Sequence, residues 1–237
     1  MTIGVIGQGY VGTAIKLGFQ DHYKVLTYDK FDLAKSTHSK ISDLVEETKV
    51  IFVCVPTPMR KDGTCYTGIV EEVIREINET ANDHIVVIKS TVPPGTTDKF
   101  NHEFSNVTVI FNPEFLTEEN FLDDFKNQNR IILGGSRKGT NKLRQIYSKV
   151  FPKAVIVKTG DKHAEMVKYF TNTFLATKVS FVSKKDNPGY YRLIKEFYKK
   201  TGCPMVLNTS LNIKGQPIVN DEKQVKEFTN KYGVKVF

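Results

Sequence analysis

Paired cysteines are lacking: Cys54, Cys65 and Cys203 stand scattered through 237 residues. That excludes a disulfide framework and points to a reduced, cytoplasmic protein. No apolar run is long enough to cross a bilayer, so no membrane span or membrane partner is expected. The opening residues carry no basic region and no cleavage site, so no secretory signal is expected. His22, His38, His84, His102 and His163 lack metal-ligand spacing, and no metal is expected. Aromatic or glycine-rich motifs for nucleic acid are missing too, which argues against a nucleic-acid partner despite the net charge of +8. That charge is unevenly placed. Residues 183–237 balance to +6 and residues 1–182 to only +2, a pattern that suits an anionic ligand or a solvated basic face. Repeats and low-complexity tracts are absent.

What is present begins at once. Residues 4–12 read Gly-Val-Ile-Gly-Gln-Gly-Tyr-Val-Gly after a short apolar run. Gly7, Gly9 and Gly12 have the spacing of a strand-to-helix turn that cradles a dinucleotide pyrophosphate. One glycine makes the tight turn, one admits the phosphates and one lets helix and strand touch. The helix start, at Tyr10 and Val11, offers free N–H groups and a positive dipole end. Val25–Tyr28 reads as the second strand, with Asp29 at its end, 17 positions past Gly12. A carboxylate there holds a ribose 2′-hydroxyl and repels a 2′-phosphate, so the expected cofactor is NAD rather than NADP. Lys30 follows it in the same loop and joins the expected cofactor contacts.

Apolar runs alternate with helical patterns through residue 157. The runs are 3–6, 25–28, 50–55, 85–88, 107–111, 131–133 and 154–157. Most are unbroken, as in parallel strands buried on both faces. Helical patterns lie near 10–19, 41–47, 68–79, 96–104 and 138–150. The fold class is therefore α/β: a Rossmann-like, doubly wound, mostly parallel sheet with a long central helix and a small α/β tail. The expected organisation is a dinucleotide-binding domain over 1–157, a helix over 158–182, a polar linker over 183–189 and a tail over 190–237. In the helix, Val167, Phe170 and Phe174 form one apolar stripe, which Leu175, Val179 and Val182 continue in rotated phase. Such a surface needs a cover: a further domain, a second subunit or the tail. The tail itself reads as a helix around Tyr190–Phe197, a strand at Met205–Leu207 and a last helix over 221–232.

Ligands of doubly wound sheets bind at the carboxyl ends of strands, so the loops there carry the candidates. Pro56-Thr57-Pro58 is either a rigid turn or a turn that also offers the Thr57 hydroxyl to a ribose. Residues 89–97, Lys-Ser-Thr-Val-Pro-Pro-Gly-Thr-Thr, present hydroxyls, Thr91 among them, and then a helix start. Asn112-Pro113-Glu114-Phe115-Leu116-Thr117-Glu118 places two carboxylates four residues apart; in helical geometry Glu114 and Glu118 would share a face, for catalysis or for capping. Lys168 and Asn172 are likewise four apart on the long helix. The lysine suits an oxyanion, or is an ordinary solvent lysine.

Taken together, residues 1–182 resemble the nucleoside-diphosphate-sugar 6-dehydrogenases, the UDP-glucose/GDP-mannose dehydrogenase family. The matching pieces are 7–12, Val-Pro-Thr-Pro at 55–58, Ser-Thr-Val-Pro-Pro-Gly-Thr at 90–96, Asn-Pro-Glu-Phe-Leu-Thr-Glu at 112–118, Arg130–Gly134 and Glu-Met-Val-Lys-Tyr at 165–169 with Asn172. The resemblance implies NAD held at Gly7, Gly9, Tyr10, Val11, Gly12, Asp29, Lys30, Pro56, Thr57, Thr91 and Glu118. It implies a UDP- or GDP-linked sugar facing Glu114, Phe115, Leu116, Lys168 and Asn172. Catalytic roles fall to Thr91, Glu114, Glu118, Lys168 and Asn172. It also implies pairing through the 161–182 helix, as a homodimer or with another protein.

The chain also departs from that family. Its enzymes oxidise a primary alcohol to a carboxylate through a thioester on a cysteine in a glycine-rich motif beyond the central helix. That motif and the second nucleotide-binding domain do not occur in these 237 residues. Full four-electron oxidation is therefore not expected of this chain. Residues 197–219 are instead similar to the C-terminal segment of O-carbamoyltransferases of the nodulation and antibiotic type. That resemblance implies a nucleotide-binding element at Ser210 and Asn212, with Leu211 and Gln216 departing from the family's Phe and Glu; a packing module with a polar turn is the alternative. A non-catalytic partner of a sugar-modifying enzyme and a recombination remnant are further readings of the whole.

Overall fold

Seven apolar runs become the seven strands found among the described residues. The computed structural model describes residues 1–176, with side chains through residue 171, and the isolated positions Pro188, Tyr191, Arg192, Lys195, Glu196 and Lys199. The strands are β1 (Thr2–Ile6), β2 (Lys24–Tyr28), β3 (Val50–Val53), β4 (His84–Ile88), β5 (Val107–Phe111), β6 (Arg130–Gly134) and β7 (Val155–Thr159). Their order is β2-β1-β3-β4-β5-β6-β7. All neighbours run parallel except β5 and β6, which meet antiparallel at Phe111 and Gly134. The helices are α1 (Tyr10–Phe19), α2 (Ile41–Glu47), α3 (Gly68–Thr80), α4 (Thr96–Glu103), α5 (Phe121–Lys126), α6 (Arg137–Val150) and α7 (Asp161–Ala176).

Unbroken strands bury both faces, and the core shows why. Along β3, Ile51 and Val53 face a cluster built with α2, α3 and α4 through Leu44, Ile74 and Phe100. Val50 and Phe52 face the opposite cluster, built with α1, α5 and α6 through Phe19, Phe125 and Tyr147. An alternating polar residue on β3 would have to be buried on one side or the other. β7 departs from the expected double burial. Among the described residues it is the last strand and has one neighbour, and it leaves Val155 65% exposed.

The elements expected over residues 1–157 form with small shifts of boundary. The short helix α5 has no counterpart among the expected helical patterns, because six residues cannot show a helical period. The α7 residues packed inward are Ala164, Glu165 and Lys168, whereas Phe170 is 69% exposed. Small size explains the first: a Cβ added to Gly134 of β6 would come within 2.4 Å of the Ala164 methyl carbon. Residues 177–182, the 183–189 linker and the tail elements lie outside the described residues, apart from the six positions named above.

The strand order places a crevice. β1 has β2 on one side and β3 on the other, so the connections leaving β1 and β3 diverge at their carboxyl ends, α1 to one face and α3 to the other. Such a reversal opens a groove between the diverging loops.

Candidate functional site

The turn after β1 is built around its glycines. Gly7 has φ +89°, and a Cβ there would lie 2.6 Å from the Cys54 carbonyl oxygen. The Gly7 N–H donates to the Tyr28 carbonyl at 2.8 Å, and the Cys54 N–H donates to the Ile6 carbonyl at 2.8 Å. The turn is thereby clamped between β2 and β3. A Cβ on Gly12 would sit 1.8 Å from the Gly7 carbonyl oxygen, so α1 approaches the turn as only glycine permits. Gly9 is different: a Cβ there meets no protein atom within 4 Å. Gly9 is also the N-cap of α1, and no side chain caps that end. The helix start therefore faces an open volume with its N–H groups directed outward.

Asp29 stands across from it. Its carboxylate accepts the N–H of Gln8 at 2.6 Å, of Phe31 at 2.9 Å and of Asp32 at 3.0 Å. Partial burial raises its pKa, but the backbone donors and Lys35 outweigh that, and the carboxyl is held below its usual range. An ionised carboxylate fixed in this way suits hydroxyl donors and opposes a phosphate.

These groups line one cleft of about 440 Å³, with Gly7, Gly9, Tyr10, Val11 and Asp29 at one end. Pro56, Thr57, Thr91 and Glu114 line the rest, together with Cys54, Lys89 and Ser90. Gly12 lies buried beneath the turn, Lys30 is exposed beside Asp29, and neither lines the cleft. A larger, shallower cleft of about 710 Å³ lies at the amino ends of β3 and β4, around Lys49, Asn82, Asp83 and Lys138. No expected site residue reaches it, and it is at the wrong end of a parallel sheet for a nucleotide.

The two loops walling the cleft are stitched together. The Thr57 hydroxyl donates to the Thr91 carbonyl at 2.8 Å, the Ser90 hydroxyl donates to the Val55 carbonyl at 2.5 Å, and the Cys65 thiol approaches the Thr91 carbonyl at 3.7 Å. The Thr57 proton is thus committed to the protein, and its oxygen is left to accept. Burial pushes the Cys54 thiol up to about 12, so it is an inert wall rather than a nucleophile.

Glu114 and Lys168 meet where neither reading of the lysine alone would place them. Lys168 Nζ lies 2.8 Å from Glu114 Oε1 and donates to the Glu114 carbonyl at 2.6 Å; the side chains are 6% and 10% exposed. Lys168 is therefore no solvent lysine. Its ammonium also sits over the Phe115 ring, 5.7 Å from the centroid. The shared helical face expected for Glu114 and Glu118 is overturned, because 112–117 is irregular and α5 starts only at Phe121. Pro113 disfavours helix at Asn112, and Glu114 Oε2 accepts the Leu116 N–H at 2.6 Å. Glu118 is exposed near Tyr10, whose hydroxyl pKa is raised by burial, then by Glu114 and Glu118. Leu116 packs partly against the core. The side chain of Asn172 and residues Ser210 and Asn212 lie outside the described residues.

Two residues were not singled out from sequence. One is Lys89, whose signal was a lysine closing an otherwise apolar strand. The other is Glu165, fully buried on α7. Its carboxylate accepts the Gly95 N–H at 2.5 Å, the Thr97 N–H at 2.8 Å and the Thr97 hydroxyl at 2.6 Å, and so caps α4 from another helix. Glu165→Ala leaves those donors without an acceptor. It is expected to cost about 2 kcal/mol in urea unfolding, with Glu165→Gln recovering part of it; an unchanged midpoint for Glu165→Ala would refute the cap.

Among the described residues, no group of three His, Cys, Asp or Glu side chains could hold a metal ion, and no helix is long and apolar enough to cross a membrane. A doubly wound sheet whose glycine turn opens opposite an acidic strand end defines a dinucleotide-binding domain of Rossmann type. Residues 30–151 match the NAD binding domain of the UDP-glucose/GDP-mannose dehydrogenase family, and the chain belongs to that family. It is similar to the UDP-glucose 6-dehydrogenase AglM of Haloferax volcanii, 30% identical over 232 residues that cover 79% of this chain and 54% of that protein. Among solved structures, a UDP-glucose dehydrogenase from Pyrobaculum islandicum superposes with a TM-score of 0.70 at 27% identity, covering 83% of this chain and 56% of that one. A GDP-mannose dehydrogenase from Pseudomonas aeruginosa has the same fold, with a TM-score of 0.69 at 23% identity over 98% of this chain and 64% of that one. The chain spans about half the length of the curated UDP-glucose 6-dehydrogenases it matches. Residues 142–237 are in addition similar to the carbamoyltransferase C-terminus, a stretch that begins within α6.

Proposed function

We propose that the cleft at the carboxyl ends of β1 to β4 is the NAD site and that a UDP- or GDP-linked sugar lies against Glu114, Phe115, Leu116, Lys168 and Asn172. The observation that carries this reading is the contrast among the three glycines. Gly7 and Gly12 are closed by protein, while Gly9 opens onto empty volume opposite the ionised Asp29. In this reading the diphosphate takes the N–H groups of Gly9, Tyr10 and Val11, with Gly7 and Gly12 making the turn. Asp29 takes the adenosine ribose hydroxyls, Lys30 flanks it, and Pro56, Thr57, Thr91 and Glu118 border the nicotinamide half. Bound NAD would supply the hydride acceptor. Thr91, Glu114, Glu118, Lys168 and Asn172 would orient the sugar alcohol and hold its proton.

We further propose that this chain alone does not complete four-electron oxidation. Cys54 is inert in its buried position, and Cys65 faces the Thr91 carbonyl rather than a family position. Steady NADH production from UDP-glucose or GDP-mannose by the purified chain would refute this. The tail is read as a carbamoyltransferase-like segment with Ser210 and Asn212 as its nucleotide candidates, and residues 161–182 as the segment that meets a second copy or partner.

Calorimetry tests the cofactor reading. NAD is expected to bind at least about tenfold more tightly than NADP, and Asp29→Ser to bring the two within about threefold by removing the charge that repels a 2′-phosphate. No heat with NAD would end the reading; a preference unmoved by Asp29→Ser would remove Asp29 from it.

A further inference from the structure

Lys89 follows the last residue of β4, between β3 and β5, and is only 5% exposed. Its Nζ donates to Asn112 Oδ1 at 2.9 Å. The Tyr147 hydroxyl, from α6, donates to the same oxygen, and Asn112 Nδ2 donates to the Ile132 carbonyl at 2.8 Å. The amine is thus fixed in place, and its residue lines the cleft beside Cys54 and Glu114.

The groups facing it are Cys54 after β3, Glu114 after β5 and Lys168 from α7, with Tyr147 of α6 behind Asn112. Burial pushes both the Cys54 thiol and the Tyr147 hydroxyl up. Glu114 is already engaged by Lys168. Burial is the largest influence on the Lys89 amine; Cys54 and Glu114 oppose it, Lys168 adds to it, and the amine is pulled down to about 8. Below that pH it is a cation; above it, a neutral amine.

The other end of the cleft is Gly9 and Asp29, over β1 and β2. A dinucleotide with its diphosphate at the start of α1 and its adenosine ribose at Asp29 directs its nicotinamide half toward β3 and β4, the Lys89 end. An oxidised nicotinamide ring carries a positive charge and a reduced one none. We propose that Lys89 makes this cleft discriminate between the redox states of the dinucleotide, its buried ammonium disfavouring the oxidised ring and leaving the reduced ring unopposed. This rests on the NAD reading above. A like charge in a partly buried site costs about tenfold in affinity.

Calorimetric titration of the full chain with NAD⁺ and with NADH, from about pH 6.5 to about pH 9.5, tests it. Tighter binding of NADH, by about tenfold at the low end, is expected to shrink to about twofold at the high end as the amine loses its proton. In Lys89→Met the ratio is expected to be small and independent of pH, with NAD⁺ affinity raised at low pH. A flat wild-type ratio with both ligands bound overturns the proposal, as does a Lys89→Met ratio that still changes with pH. Where Lys89→Met does not fold, the wild-type profile decides by itself. Absence of binding by either dinucleotide instead overturns the NAD reading, and the proposal with it.

Discussion

Lys168→Met is expected to destabilise the sheet domain by about 4 kcal/mol, while the double variant Glu114→Gln/Lys168→Met recovers most of that loss. The reason is an asymmetry in what is left behind. Both side chains are nearly out of water, at 6% and 10% exposure. Removing the ammonium strands a carboxylate and also deprives the Glu114 carbonyl of its donor. Neutralising both partners removes the charges together, and a buried neutral amide next to a thioether costs far less. Urea unfolding of the two single variants and the double variant, read as a thermodynamic cycle, measures the coupling. A loss below about 1 kcal/mol for Lys168→Met would mean that water reaches the pair as at an exposed ion pair.

Gly9→Ala is expected to leave the melting temperature unchanged and to weaken NAD binding about a hundredfold, whereas Gly12→Ala is expected to damage the fold itself. The added methyl on Gly9 meets no protein atom within 4 Å, so folding has nothing to oppose it, and only a ligand brought against that backbone would feel it. On Gly12 the same methyl lies 1.8 Å from the Gly7 carbonyl oxygen. That atom is backbone in a turn clamped to β2 and β3, and it cannot move without breaking those bonds. Thermal melts with and without NAD separate the two effects. Normal NAD affinity in Gly9→Ala would show that no diphosphate approaches this turn.

Most of the sheet was legible because parallel strands between two helical layers must be apolar at every position. Ile51 and Phe52 face opposite clusters, and the run announces both. The same logic fails at an edge: the run ending in Val155 to Val157 looks like a buried strand, but among the described residues it has one neighbour, and both valines stand well exposed. Spacing misled at Glu114 and Glu118, since four residues imply a shared face only where a helix exists. Pro113 and the bond from the Leu116 N–H to the Glu114 carboxylate hold that segment open. Glu165 and Lys89 were hidden for a different reason. A buried carboxylate and a buried amine look like surface residues until the donors and acceptors that hold them are known.

Sequence alone determined the alternation of strands and helices, the glycine turn and the acidic strand end, because each depends on residues close together along the chain. Only tertiary structure decided which charges are buried and what meets them. Glu114 and Lys168 stand 54 positions apart, and Glu165 lies 68 from Thr97. Desolvation and pairing are set by distance in space, and no local pattern encodes that.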